Sequence, residues 1–474
     1  MKVFLFNNIG SENLNQNKTN NKVDLIRGDP KIAIRSIAWP MILTLVLNMV
    51  YNMVDRVWVA GLGADPLAAI GFVTPLFIIV GGLANGFGAG ANSLISRYIG
   101  AQDKANASNS ALHGVLIALV LSILIPVLLL PFLDQILILM GAGSVLSYAR
   151  AYAAIIIIGS FTIIFNGILS SQLRAEGDVK RATIALTFTG ILNMIIDPIF
   201  IYTLGWGVDG AAIATILSAL AAMLMMIYWM FIKKDTYVDL NRSQFKYDNT
   251  IMKQLISVSL PASVEQLIIS LISIIMNAML IGVADTTVVA AYTAAWSIIQ
   301  VGIMPAVGIG TAAITVAGVA YGAKDYQKLK TACYYSIKLG LIISIILVVL
   351  IEIFAPQIAF IFSYSATSAH LGETIAHILR VIAIFIVGVP VGLSCASVFQ
   401  GMGKGTISLL LTVLRELVLV LVIAYILTYI MGFGAYGIYI GLVLGAIIGS
   451  VMALGVFEVY YNRIKRLEND SPQV

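Results

Sequence analysis

The sequence predicts an all-α polytopic membrane protein, with twelve transmembrane helices in two pseudo-symmetric six-helix bundles. Three observations predict it. Of the 474 residues, 60% are hydrophobic and only 11% are Asp, Glu, Lys or Arg, whereas a soluble chain carries about 25% charge, so lipid must solvate most of the surface. Twelve apolar stretches are long enough to cross a bilayer, which takes ~20 residues of helix that satisfies its own backbone. Short Gly-rich patterns of the first half also return in the second.

Residues 1–30, MKVFLF followed by an Asn- and Lys-rich stretch, read as a flexible cytoplasmic tail, because their apolar run is shorter than the ~7–15 residues of a signal-peptide core. The spans follow at 36–60, 67–96, 110–131, 147–171, 182–204, 208–231, 254–282, 287–320, 331–355, 373–399, 406–430 and 436–460. Grouped, they give an N-terminal six-helix bundle over 31–231, a cytoplasmic linker over 232–253, a C-terminal bundle over 254–460 and a tail over 461–474. Stretches longer than a straight crossing imply tilt or extension into the cytosol.

Orientation follows from Lys and Arg in the short connections. Of the 28 basic residues, Arg56, Arg150, Lys338, Arg380 and Arg415 lie inside spans or at their ends. The other 23 fall in the two tails and in every second connection. The opposite connections hold Asp65, Asp134, Asp209 and Asp285 instead. Both termini are therefore expected in the cytoplasm, with the protein multi-pass in the plasma membrane. This distribution also explains the net charge of +5 as topology, and no nucleic-acid partner is expected.

Gly86-x-Gly88 followed by Gly100-Ala101-x-Asp103 recurs 222 residues on as Gly308-x-Gly310 and Gly322-Ala323-x-Asp325. Gly205-x-Gly207-x-x-Gly210 recurs as Gly432-x-Gly434-x-x-Gly437, and Pro40 is matched by Pro261. A repeat offset by six spans keeps its orientation, which implies parallel repeats about an axis along the membrane normal. The glycines sit between helices with no preceding strand, so they read as tight turns and close packing rather than nucleotide loops.

A carboxylate inside a span is a functional hypothesis by default. Asn48, Tyr51, Asn52 and Asp55 share one face of span one, since residues three, four and seven apart align on a helix. Asp197, with Asn193 one turn below it in span five, and Thr215 in span six are expected at a depth matching Asp55, roughly 8–10 Å from the outer ends at 1.5 Å per residue. Polar residues in spans also serve as interhelical glue worth about 0.6–2 kcal/mol, which accounts for Asn48, Asn52 or Thr215 taken singly. Two acids at one depth exceed that role, so Asp55 and Asp197 are expected to be functional rather than structural. Carried through the repeat, they correspond to Met276 or Asn277 and to Ile423 or Ala424, none of which ionises. The second half offers Glu265 and Arg415, which read as a structural pair or as a further site. Pro40 marks a point where span one can bend.

Weaker features are read plainly. Cys333 and Cys395 make no disulfide framework, His113, His370 and His377 read as interfacial, and the Met223–Met230 stretch reads as lipid-facing filler. No cofactor is expected.

Tyr51-Asn52-Met53-Val54-Asp55 leading into Trp58-Val59-Ala60-Gly61-Leu62-Gly63, Arg174-Ala175-Glu176-Gly177-Asp178, and Asn193-Met194-Ile195-Ile196-Asp197-Pro198 together resemble the multidrug and toxic compound extrusion (MATE) transporters, in the branch with archaeal and damage-inducible bacterial members. The resemblance covers nearly the whole chain. It implies export of amphipathic, often cationic organic compounds by alternating access, driven by inward flow of H+ or Na+. A sodium ion would take side-chain oxygens of Asp55, Asn193, Asp197 and Thr215. Small organic substrates and membrane lipid are the expected partners of a monomer. Two other readings stand beside this one: a lipid-linked or polyisoprenoid flippase of the wider superfamily, and an integral-membrane enzyme with Asp55 and Asp197 as an acid dyad. The enzyme reading lacks a nucleophile or metal-ligand spacing near either acid.

Overall fold

The computed structural model describes residues 21–469 apart from 242, 244 and 365–368, so 1–20 of the first expected tail and 470–474 of the second lie outside the described residues. Among the described residues eleven helices are long and apolar enough to cross a membrane: α1 Pro30–Ala60, α2 Ala64–Gly100, α3 Lys104–Leu139, α5 Val179–Thr203, α6 Gly207–Ile232, α7 Asn249–Ile281, α8 Thr286–Gly322, α9 Tyr326–Ser363, α10 Gly372–Gly401, α11 Gly405–Ile430 and α12 Ala435–Glu468. The twelfth span, α4, consists of Ala142–Ile158 and Ser160–Ala175 bent by 44°. Its break falls at Gly159, where the side chain of Ile216 from α6 fills the space a Cβ would need and the Thr162 hydroxyl donates to the freed Gly159 carbonyl at 2.8 Å.

Six of the helices begin before the apolar stretch that announces them, because aspartates cap them. Asp29, Asp103, Asp178, Asp248, Asp285 and Asp325 each accept a backbone N–H of the helix that follows, satisfying donors that have no intrahelical partner. The repeated Gly-Ala-x-Asp is thus a stop-and-restart signal. Its third residue, Gln102 or Lys324, takes a left-handed turn (φ 62° and 57°) and its Asp caps the next helix. In the other repeat, Gly205, Gly207, Gly432 and Gly434 all have positive φ, the conformation glycine alone adopts freely.

The two halves of the chain meet chiefly through α1, α2, α7 and α8, with α9 and α10 adding contacts. Gly86 and Gly90 of α2 leave room for Ser263 and Ser259 of α7, and Gly308 of α8 for Ile42 of α1. Nearer the end that carries the basic residues, Asn92 accepts from Thr315 at 3.0 Å, Ser93 donates to the Gln400 carbonyl at 2.5 Å, Lys328 donates to the Arg27 carbonyl at 2.8 Å, and Arg35 bonds the Tyr335 hydroxyl. Among the described residues every side-chain hydrogen bond between α1–α6 and α7–α12 lies toward this basic end. Farther along the same faces exposed residues take over, as at Asn85, Gln266 and Gln300.

Three expectations are corrected here. The segment 21–27, read as flexible tail, is helical, with Val23 and Ile26 buried, Lys22 paired to Asp178 at 2.6 Å and Arg27 bonded to the Ile99 carbonyl. Met223, Met226 and Met230 are buried rather than lipid-facing, in an apolar cluster that also holds Val23 and Ile26 of the first segment and Val238 and Leu240 of the connection. His113 is fully buried, not interfacial: α3 starts at Lys104, which places it nearly three turns inside the helix. Its Nδ1 meets the Asn109 carbonyl at 2.8 Å and its Nε2 accepts the Asp248 N–H at 3.0 Å.

The connection between α6 and α7 is shorter than the expected 232–253, since Asp248 starts α7 at Asn249. It is strapped to the first half. Arg181 grips Asp235 at 2.5 Å, Glu176 accepts the Tyr237 and Val238 N–H groups at 2.8 and 3.1 Å, and Ser108 accepts the Asp239 N–H at 2.9 Å. Burial, with the Asp178 carboxylate adding to it, pushes Glu176 up to about 8 from an ordinary 4.5, against the opposing pull of the two N–H groups and Lys22. A carboxyl raised in the folded state favours that state below its unfolded value and loses the advantage as pH rises through the folded one. The Tm is therefore expected to fall by a few degrees between about pH 5 and about pH 8.5. Glu176→Gln keeps an acceptor for both N–H groups and should flatten that slope in a thermal unfolding series. An unchanged slope would assign the pH dependence to another group.

Candidate functional site

Asp197 is completely buried on α5, held by the Asn193 amide, whose Nδ2 donates to Oδ1 at 3.1 Å. The i, i+4 spacing sets this contact. The carboxyl of Asp55, partly buried on α1, lies within hydrogen-bonding reach of the Asp197 carboxyl. Tyr51, one turn below Asp55, sits near both acids, and it packs there because α5 has Gly190 opposite, where a Cβ would stand 3.3 Å from that of Tyr51. One oxygen each of Asp55, Asp197 and Asn193 is buried without a hydrogen-bond partner. Buried polar atoms in folded proteins are nearly always satisfied, so three orphan oxygens around two neighbouring carboxyl groups leave acceptors that a proton or a hard cation can satisfy.

The structure separates the remaining candidates. Asn52 is exposed and donates to the Asn48 carbonyl of its own helix at 2.7 Å. Thr215 donates to Ala211 on its own helix at 3.0 Å. Pro40 lies inside α1, which stays helical from Pro30 to Ala60. Tyr152 of α4 was missed: it is buried within electrostatic range of Asp55, Tyr51 and Asp197. A tyrosine in an apolar span is an ordinary packing residue, and the bend that brings α4 to the acids leaves no mark on Tyr152 itself.

In the second half, the positions matching the acids are filled by apolar side chains, with Met276, Val420 and Ala424 in one core cluster. Glu265 and Arg415 do not pair directly. Glu265 accepts from Gln400 at 2.9 Å, whereas Arg415 binds Glu416 at 2.8 Å. The wide π-helical turn Val413–Leu419 carries Arg415 into a slot between Gly392 of α10 and Gly449 of α12, still within electrostatic range of Glu265. Both residues are buried, and one Glu265 oxygen and two Arg415 nitrogens have no partner.

Comparison with known proteins adds the following. The family model described as MatE matches residues 40–199 and 261–426. The multidrug export protein MepA of Staphylococcus aureus (strain NCTC 8325 / PS 47) is 28% identical over 247 residues, 52% of this chain and 54% of its own length, so the match spans about half of that relative. An FAD transporter of Shewanella oneidensis is 26% identical over 331 residues, 68% of this chain and 72% of its own. Among solved structures, a MATE protein in complex with MaL6 matches with a TM-score of 0.91 at 39% identity, over 94% of this chain and 99% of that one. A multidrug resistance MATE family transporter described in an outward-facing conformation matches equally well, with a TM-score of 0.91 and 39% identity over 94% and 98% of the two chains.

Proposed function

Because this chain belongs to the MatE family of membrane transporters, we propose that it is an antiporter that exports amphipathic or cationic organic compounds by alternating access, driven by H+ or Na+. The observation that carries the reading is the contact between Asp55 and Asp197 beside Asn193, with three orphan oxygens. Two touching carboxyl groups in a buried site share one proton or one cation, so loading and unloading that charge biases two conformations of the first half. In this reading the basic end faces the cytoplasm, the protein works as a monomer in the plasma membrane, and the closed basic end, with exposed faces beyond it, is the outward-open state. Pro40 supplies the element that responds: α1 bends there when the site changes charge, because proline removes one helix hydrogen bond.

Dye efflux from vesicles tests this reading and chooses the ion. With an imposed pH gradient and no sodium, efflux is expected. Efflux that appears only with an opposing sodium gradient would give the site to Na+, and Asn193→Ala would then raise the sodium concentration for half-maximal rate by about tenfold, with little change in Tm. No efflux under either gradient would overturn ion-coupled export.

A further inference from the structure

Three of the helix faces that join the halves at the basic end each continue to an uncharged carboxamide. On α2 the face runs through Asn92 and Ser96, which touch Thr315 and Gly318 of α8, and upward to Asn85, which is exposed. On α7 it runs through Ser259 and Ser263, seated against Gly90 and Gly86, to Gln266, which meets Gly82 only through its Cβ and is otherwise exposed. On α8, Gln300 stands on the face of Met304, Gly308 and Thr315 and is exposed. At 1.5 Å per residue the three lie roughly 22, 25 and 33 Å from the basic ends of their helices, well inside the membrane span. None of their side chains has a hydrogen-bond partner among the described residues.

An unpaired carboxamide in lipid is costly. Three of them continuing the faces of one seam therefore mark the wall of a water-filled cleft. That wall carries no charge. Between Arg35 and Asp55 on α1, between Asp65 and Arg97 on α2, beyond Lys253 on α7 and along all of α8, the one ionisable carboxylate or basic group is Glu265, which is buried.

We propose that Asn85 and Gln266, with Gln300 about 10 Å farther along, line a substrate subsite between the halves, and that it selects molecules by their uncharged amide, carbonyl and hydroxyl groups rather than by charge. The proposal rests on the export reading and adds a recognition rule to it. A site built from hydrogen-bonding groups discriminates strongly for ligands that complete those bonds.

Binding to the purified full-length protein tests it with two probes. Chloramphenicol is uncharged and rich in amide and hydroxyl groups, and tetraphenylphosphonium is a cation without hydrogen-bonding groups. The triple variant N85L/Q266L/Q300L is expected to weaken chloramphenicol binding about tenfold or more and tetraphenylphosphonium binding less than about twofold. Gln266→Glu and Gln300→Glu keep the side-chain shape and are expected to invert the preference, which keeps the test decisive should the apolar variant fold poorly. Equal losses for both probes, unchanged chloramphenicol binding in the variants, or no chloramphenicol binding by the wild type would overturn the subsite. Gradient-driven tetraphenylphosphonium efflux by the wild type separates the two readings: its absence counts against export itself, whereas its presence without any effect of the carboxamides counts against the subsite alone.

Discussion

Asp197→Asn is expected to reduce gradient-driven efflux to the level of protein-free vesicles while the protein still folds, and Asp55→Asn to do the same. Asparagine keeps the volume and an acceptor oxygen of each carboxyl, so the Asn193 contact at 3.1 Å has a replacement and the stability change should stay within about 1–2 kcal/mol. On the proposed reading, what is lost is the capacity of the pair to gain and release one positive charge. Either variant alone should suffice, because one carboxyl beside an amide no longer holds the shared charge of two. Efflux rate and Tm measured on the same preparation check this. A normally expressed variant giving full resistance to toxic cations would remove these residues from the coupling role.

The second large effect concerns Gly100 and Gly322, which the repeat makes equivalent. Each lies where the other half's backbone passes. A Cβ on Gly322 would fall against the Arg97 carbonyl group, and one on Gly100 would stand 2.8 Å from the Val319 carbonyl carbon. No flexible side chain can yield there, so Gly322→Val must push α2 and α8 apart at the basic end. Overpacking of this kind costs about 1–3 kcal/mol, and all of it falls on the state in which that end is closed. Efflux is expected to drop more than about tenfold, and spin labels at the exposed Lys104 and Lys324 positions should report a longer distance than in the parent. Parent-like transport together with a parent-like distance would show that the contact is dispensable.

Much of the architecture was legible because it is written locally. Charge-poor stretches gave the spans, and the Gly-Ala-x-Asp repeat gave two turns whose left-handed residue and capping aspartate are both in the string. The acids stood out for an energetic reason, since a carboxylate in an apolar helix demands an explanation. Tertiary placement was not legible. Nothing near Thr215 says that its hydroxyl will fold back on Ala211, and no spacing rule separates Glu265 from Arg415, which a π-helical turn turns toward α12 instead. His113 was misread because hydropathy marks where a helix enters lipid, not where the helix begins. Met223, Met226 and Met230 were misread because their cover comes from segments distant in sequence.

The glycine face of α2 also bears on the order in which the chain is made. Gly86 and Gly90 are complemented by Ser263 and Ser259, residues that leave the ribosome only after the whole first half and its strapped connection. Until then the Gly86 and Gly90 face of α2 lacks its α7 cover, while Ile251 and Leu255 of α7 are still missing from the apolar cluster they complete. The first half is therefore a waiting intermediate rather than an independent unit. A fragment ending at residue 248 should insert but be cleared quickly, and supplying 249–474 as a separate polypeptide should lengthen its lifetime in a pulse-chase experiment. An equally long-lived solitary fragment would mean that α2 finds another cover during synthesis.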